Sequence, residues 1–340
     1  MRFGFSDEQR LFQKTMRELV TRECPPAHVR AAWSSETGRS PALWGKLAEV
    51  GLVGLTVPGA HGGLGGSALD WVLVLEEAGH GALPEPLTET TVVAAPLLAE
   101  LGGELAARWL PKIASGEAIV TVGVHGKLVT DAHVADLLLL RHEQTLHAVE
   151  RAQVKLHAQS SVDGARRLFR VEWTPSAATQ VASGDTAVRA IADAFDRGAL
   201  GAAAELIGLG AKLIELTVEY VKVRKQFGQA VGSFQAVKHQ LTDALVAVEF
   251  ARPVVYRAAD SLARALPDRA THVSMAKAAA SDAAQKASRV ALQCHGAIGY
   301  SFEHDLHLWM KRAWALGVAW GDAAWHRERV ATAILDGGKQ

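Results

Sequence analysis

Four long stretches rich in alanine and leucine, over residues 191–222, 233–265, 268–297 and 303–335, dominate the second half of this chain. Alanine and leucine lose little on entering a helix, and segments of this length exceed ordinary strands several-fold. Short connections leave such helices little choice but to run antiparallel, so the spacing predicts a four-helix bundle over residues 191–340. The rest of the chain must fit around that bundle.

Residues 1–118 also read as helical, in shorter pieces. Ser6-Asp7-Glu8-Gln9 has the form of a capping box, with Leu11, Phe12 and Met16 following at helical spacing. Pro41 opens a second helix, where its missing N–H costs nothing, and Gly51 closes it. Pro58–Gly66 is a loop, after which Ser67 caps an apolar helix through Leu75. Pro84 and Pro86 interrupt the chain before a further helix from Val92 to Leu101. The period then changes. Val120, Val122 and Val124 alternate with other residues, and strand-sized apolar runs recur at Leu137–Leu140, Leu146–Val149 and Leu168–Val171. The expected fold is mainly α with a small β domain: an N-terminal helical domain over 1–118, a middle β domain over 119–190 and the C-terminal four-helix bundle over 191–340.

Charge narrows the function. Lysine plus arginine number 36 and aspartate plus glutamate 36, so the chain lacks the basic surface that nucleic acid or an anionic membrane would require. No apolar run reaches the ~18 residues of a membrane span. Asp7, Glu8, Gln9 and Arg10 stand where a secretory leader needs an apolar core. The two cysteines, Cys24 and Cys294, suit a reducing cytosol better than a disulfide framework. These features predict a cytoplasmic protein with neither nucleic acid nor membrane as partner.

Two segments could carry chemistry. Val223-Arg224-Lys225-Gln226-Phe227-Gly228, with Phe234-Gln235 and His239 downstream, joins one long helix to the next. An arginine beside a glycine turn can grip an anion bidentately, or can simply complement a helix C-terminus. Gln293-Cys294-His295-Gly296-Ala297-Ile298-Gly299-Tyr300 ends a helix. Its glycines permit close backbone approach to a ligand, or form an ordinary C-cap and turn. Other features read as structural. His142 and His147 miss the spacing that puts two metal ligands on one helix face, and His304 and His307 fit a solvated helix start, so no metal site is expected. Gly62–Gly66 lacks the lysine of a phosphate loop, and Glu249 can pair with Arg252 three residues on.

Taken together, Arg-x-Gln-Phe-Gly followed by Phe-Gln and His resembles the first C-terminal signature of the acyl-CoA dehydrogenase family, and Gln293–Tyr300 resembles the second. Leu43-Trp44-Gly45-Lys46-Leu47, Gly51–Leu55, Pro58–Gly65 and Leu110–Gly116 resemble that family's N-terminal domain. The resemblance implies an acyl-CoA dehydrogenase-like fold with FAD held between subunits. It also implies α,β-dehydrogenation of an acyl-CoA, in which a glutamate takes the α-proton and the flavin takes the β-hydride. Carried over, Arg224 would meet the pyrophosphate of a neighbour's FAD, with Gln226, Phe227 and Gln235 along the adenine portion. Gln293, Gly296 and Ala297 would touch the same cofactor.

The chain also departs from that family. Counted from the signatures, the two family positions for the catalytic glutamate fall on Trp320 and near Gly198, with Ala199 where an arginine usually follows. Glu205, two turns beyond Gly198 on roughly the same face, is the substitute base if burial raises its pKa; otherwise it pairs with a neighbouring cation. Asp322 is a weaker candidate. The acidic-Pro…Gly-Ser stretch that holds the flavin ring has no counterpart after Glu117, so the middle β domain reads as reduced. The expectation is a subunit that shares FAD with a homologous dehydrogenase subunit supplying the base. A heterotetramer is expected, otherwise a homodimer or homotetramer. Short actinobacterial-type subunits of this kind resemble those of heteromeric dehydrogenases acting on steroid side-chain acyl-CoA. The alternatives are a homomeric dehydrogenase using a displaced base such as Glu205, and a non-enzymatic structural subunit that has lost FAD.

Overall fold

The computed structural model describes residues 4–335. The N-terminal part is built from α1 (Asp7–Glu23), α2 (Pro26–Ser34), α3 (Pro41–Glu49), α4 (Ala68–His80), α5 (Ala95–Leu101) and α6 (Gly103–Ala114). The capping box at Ser6 forms as its residues predict: the Gln9 N–H donates to Ser6 Oγ and the Ser6 N–H to Gln9 Oε1. At the start of α4 the Ser67 N–H and hydroxyl both donate to Asp70 Oδ2. Between α4 and α5, Thr88–Ala94 adopts a π-helical turn, a widened backbone that often marks a functional wall.

The middle unit holds β1 (Val120–Gly123), β2 (Val129–Thr130), β3 (Leu137–His142), β4 (Thr145–Glu150), β5 (Lys155–Gln159), β6 (Leu168–Glu172) and β7 (Gln180–Ser183). One sheet has the order β1-β3-β4-β7 and a second the order β2-β6-β5, with β1 and β3 parallel and the other described pairs antiparallel. Leucines at four consecutive positions make β3 a strand buried on both faces: Leu137 and Leu139 enter the main core, Leu138 and Leu140 a smaller one with Val129, Val149 and Val154.

The bundle comprises α7 (Gly184–Val223), α8 (Gln235–Ala263), α9 (Arg269–His295), α10 (Leu306–Val318) and α11 (Ala323–Leu335), with a small hairpin of β8 (Lys225–Gln226) and β9 (Gln229–Ala230) between α7 and α8. Two features differ from the sequence expectation. Helix α7 begins at Gly184 rather than Ile191, because its first turn is polar and exposed and carries no apolar stripe. The fourth helical stretch is broken at Ala319–Asp322, where Trp320 (φ 57°) and Gly321 (φ 88°) turn left-handed and separate α10 from α11.

The two helical parts lock together where α4 crosses α7. A Cβ at Gly79 would collide with the Glu205 carbonyl, and one at Gly208 with the Glu76 carbonyl. The helices therefore pack backbone against backbone, which only glycine allows.

Candidate functional site

The two sequence signatures meet at one end of the bundle. Tyr220, one turn before the end of α7, stacks on His295 at the end of α9 with ring centroids 4.3 Å apart. That contact joins the ends of α7 and α9, so Arg224 and the β8–β9 hairpin leave from the same end of the bundle as the turn that starts at Gly296 (φ 63°). Arg224, Gln226, Gln235, Gln293, Gly296 and Ala297 are all exposed. Phe227 is 91% exposed and sits at the hairpin tip with φ 54°, its ring edge-on to Phe234. A phenylalanine held out in water on a strained tip is an unsatisfied apolar surface and a mark of contact with something else. Guanidinium, amides and an open backbone turn around it form a donor set suited to a phosphate-bearing ligand lying along this face.

A second site lies deeper, between the π-helical turn, α7, α10 and the β unit. It is a cavity of about 40 Å³ with an unusual wall: Glu85, Glu89, Asp131 and Glu205 face Arg39, Arg166 and Arg312. Arg39 is paired with Asp131, and Arg312 with Asp163 while also donating to the Leu83 carbonyl. The other carboxyls are left to burial. Although part of Glu205 opens onto the cavity, desolvation outweighs the Thr88 hydroxyl that donates to it at 2.5 Å and lifts its pKa to about 7. Glu85 is likewise pushed by burial to about 7; one of its oxygens takes the Ser40 N–H and the other, among the described residues, has no partner. Glu89 is raised as well, by burial and by the nearby Asp131 carboxylate. The volume suffices for water but not for an acyl thioester.

Trp320 closes this cavity on the bundle side. Its indole lies against Gly198 so closely that a Cβ there would come within 2.5 Å of ring atoms Cδ2 and Cε2. The two positions at which the resemblance expects a carboxylate therefore touch each other, and they carry an indole and a glycine. Asp322 beside them is a helix cap, accepting the Trp325 N–H at 2.8 Å.

The remaining candidates resolve as structural. Glu249 pairs with Arg252 at 2.8 Å, and the same arginine reaches Glu76. His142 and His147 sit on neighbouring strands, and His147 bonds the hydroxyls of Thr145 and Thr179. His304 faces His295, whereas His307 packs between Trp33 and Phe302, so the pair does not converge. Gly62 and Gly65, both with positive φ, make the loop before α4 a tight turn. Sequence reasoning singled out Glu205 and Trp320 but not the charged cavity that both line. Its residues come from six separate segments and share no spacing that a motif could reveal.

Residues 6–117 match the family model for the acyl-CoA dehydrogenase N-terminal domain, and residues 188–335 that for the acyl-CoA dehydrogenase C-terminal domain. The chain is 35% identical over 308 residues to acyl-CoA dehydrogenase IpdE2 of Mycobacterium tuberculosis, covering 90% of this chain and 91% of that one. It is 37% identical over 309 residues to IpdE2 of Mycolicibacterium smegmatis, covering 91% and 93%. Among solved structures, a chain of the ChsE4–ChsE5 complex from Mycobacterium tuberculosis superposes with a TM-score of 0.89 at 25% identity, covering 99% of each chain. No described helix is long and apolar enough to cross a membrane.

Proposed function

The chain belongs to the acyl-CoA dehydrogenase family, and within it we propose that this protein is a cofactor-sharing subunit: it lends one face to an FAD held mainly by a homologous partner chain, which supplies the base. The observation that carries this reading is the pairing of Trp320 with Gly198 at the two places a carboxylate is expected. A protomer so built has no base at either position, while its Arg224–Phe227 hairpin and Gln293–Ala297 turn stand open to a neighbour.

In this reading Arg224 neutralises the cofactor's diphosphate, Gln226, Gln235 and Gln293 hydrogen-bond along it, and Phe227 exchanges water for the partner's surface. FAD, when bound, supplies the hydride acceptor for α,β-dehydrogenation. The substrate in this reading is an acyl-CoA with a bulky acyl group, such as a steroid side chain, and likeness to a chain of the ChsE4–ChsE5 complex supports a heteromeric assembly. The homomeric alternative with Glu205 as base is less favoured, because that carboxyl already holds the Thr88 hydroxyl and shares its cavity wall with the Trp320 indole.

Expression alone and with a full-length family member tests the proposal. The expected result is a colourless chain alone and a yellow, substrate-bleached assembly on co-expression. A yellow chain that is bleached by acyl-CoA without any partner would refute it, and a colourless product with every partner would leave only a structural role.

A further inference from the structure

The turn between α10 and α11 is held with more hardware than a surface connection needs. Trp320 occupies left-handed backbone, with φ 57°, a conformation costly for a bulky residue. Lys277 pays that cost in part: fully buried on α9, it donates its three N–H groups to Ser281 Oγ, the Gly317 carbonyl and the Gly321 carbonyl, each at 3.0 Å. All three acceptors are uncharged, so the ammonium is spent on tying the end of α10 to the residue after the ring. His326, also fully buried, donates from Nε2 to the Trp320 carbonyl at 2.8 Å, and its Nδ1 meets Ser274 Oγ at 3.1 Å. Phe195 packs edge-on to the indole at 6.1 Å. One turn further along the same helix, α7 omits a side chain at Gly198 to seat the ring.

We infer that Trp320 is a fixed stopper which closes this protomer's own crevice, and that the space it fills is a binding site for a planar aromatic ring once the side chain is removed. The inference rests on the preceding section only in taking the crevice as the place where a second acyl ligand would otherwise enter. The chemistry is that of a mould: glycine floor, aromatic flank at Phe195 and a pinned turn that cannot swing aside. A void of indole shape and apolar lining keeps its shape and accepts a matching guest. The indole also borders the charged cavity, whose wall it shares with Glu205 and Arg312.

The full-length chain serves for the test, with indole as the probe. Trp320→Gly is expected to lower the melting temperature, and millimolar indole to restore part of the loss while leaving the wild-type melt unchanged. Trp314→Gly, which removes an exposed ring outside this aromatic cluster, is the control and should show no recovery. Gly198→Ala should also lower the melt, yet combined with Trp320→Gly it should cost nothing further, because the added methyl then has room. Should Trp320→Gly fail to fold, Gly198→Ala alone decides: ejection of the ring would raise quenching of tryptophan fluorescence by acrylamide. Absence of indole recovery, additive losses in the double variant, or unchanged quenching would each overturn the inference. None of these readouts involves flavin, so failure of the shared-cofactor proposal would leave them standing, and the reverse holds too.

Discussion

Replacing Glu205 by glutamine turns the electrostatics of the buried cavity into a measurable number. Burial lifts this carboxyl from 4.5 to about 7. A displacement of about 2.5 units, at roughly 1.4 kcal/mol per unit, makes its ionisation in the folded chain cost about 3 kcal/mol. The sign follows from proton counts. Below pH 4.5 the group is neutral whether the chain is folded or not, and no cost exists. Between 4.5 and 7 the unfolded chain has released the proton while the folded chain keeps it, so stability falls as pH rises. Above 7 the full cost is present. Glutamine never ionises, and its Oε1 still accepts the Thr88 hydroxyl that now donates to Glu205. Glu205→Gln should therefore gain about 3 kcal/mol on the wild type between pH 4.5 and pH 8, read from urea unfolding at both values with an unchanged denaturant slope. A difference independent of pH would refute the reasoning. So would glutamine losing ground at pH 8, which would mean that Arg312 or Arg166 holds Glu205 as a stable anion.

Arg224→Ala should leave the melting temperature of the isolated chain within experimental error, because the side chain is exposed. In the co-expressed assembly it should weaken FAD retention by about tenfold or more, the worth of one charge-assisted contact, as measured by flavin released on dilution. Gly208→Ala should cost about 3 kcal/mol or more in urea unfolding, since its Cβ has no place against the Glu76 carbonyl; a loss under about 1 kcal/mol would show that the helices can slide apart.

Local signals in the sequence were read more faithfully than distant ones. The capping box at Ser6, the proline start of α3 and the leucine run of β3 each state their structure within a few residues, and each forms. Strands β2, β5 and β7 went unread because they are short or half exposed, so their side chains lack the alternation that marks a buried face. The break at Trp320 has a local signal in Gly321-Asp322 that the alanine-rich flanks outweighed, and the tertiary grip of Lys277 and His326 fixes the turn there. The family signatures were legible since each is a run of near-contiguous residues. The cavity was not, because Arg39, Glu85, Asp131, Arg166, Glu205 and Arg312 become neighbours only after folding.

The glycine crossing of α4 and α7 has a mechanical consequence. With main chain touching main chain at Gly79 and Gly208, no side chains stand between the two helices at those points to shear or repack. The amino-terminal helices and the bundle must then travel as a single block, like two beams welded at the joint. Any breathing within the chain has to be drawn from the β2-β6-β5 sheet, which packs on a small core separate from the main one.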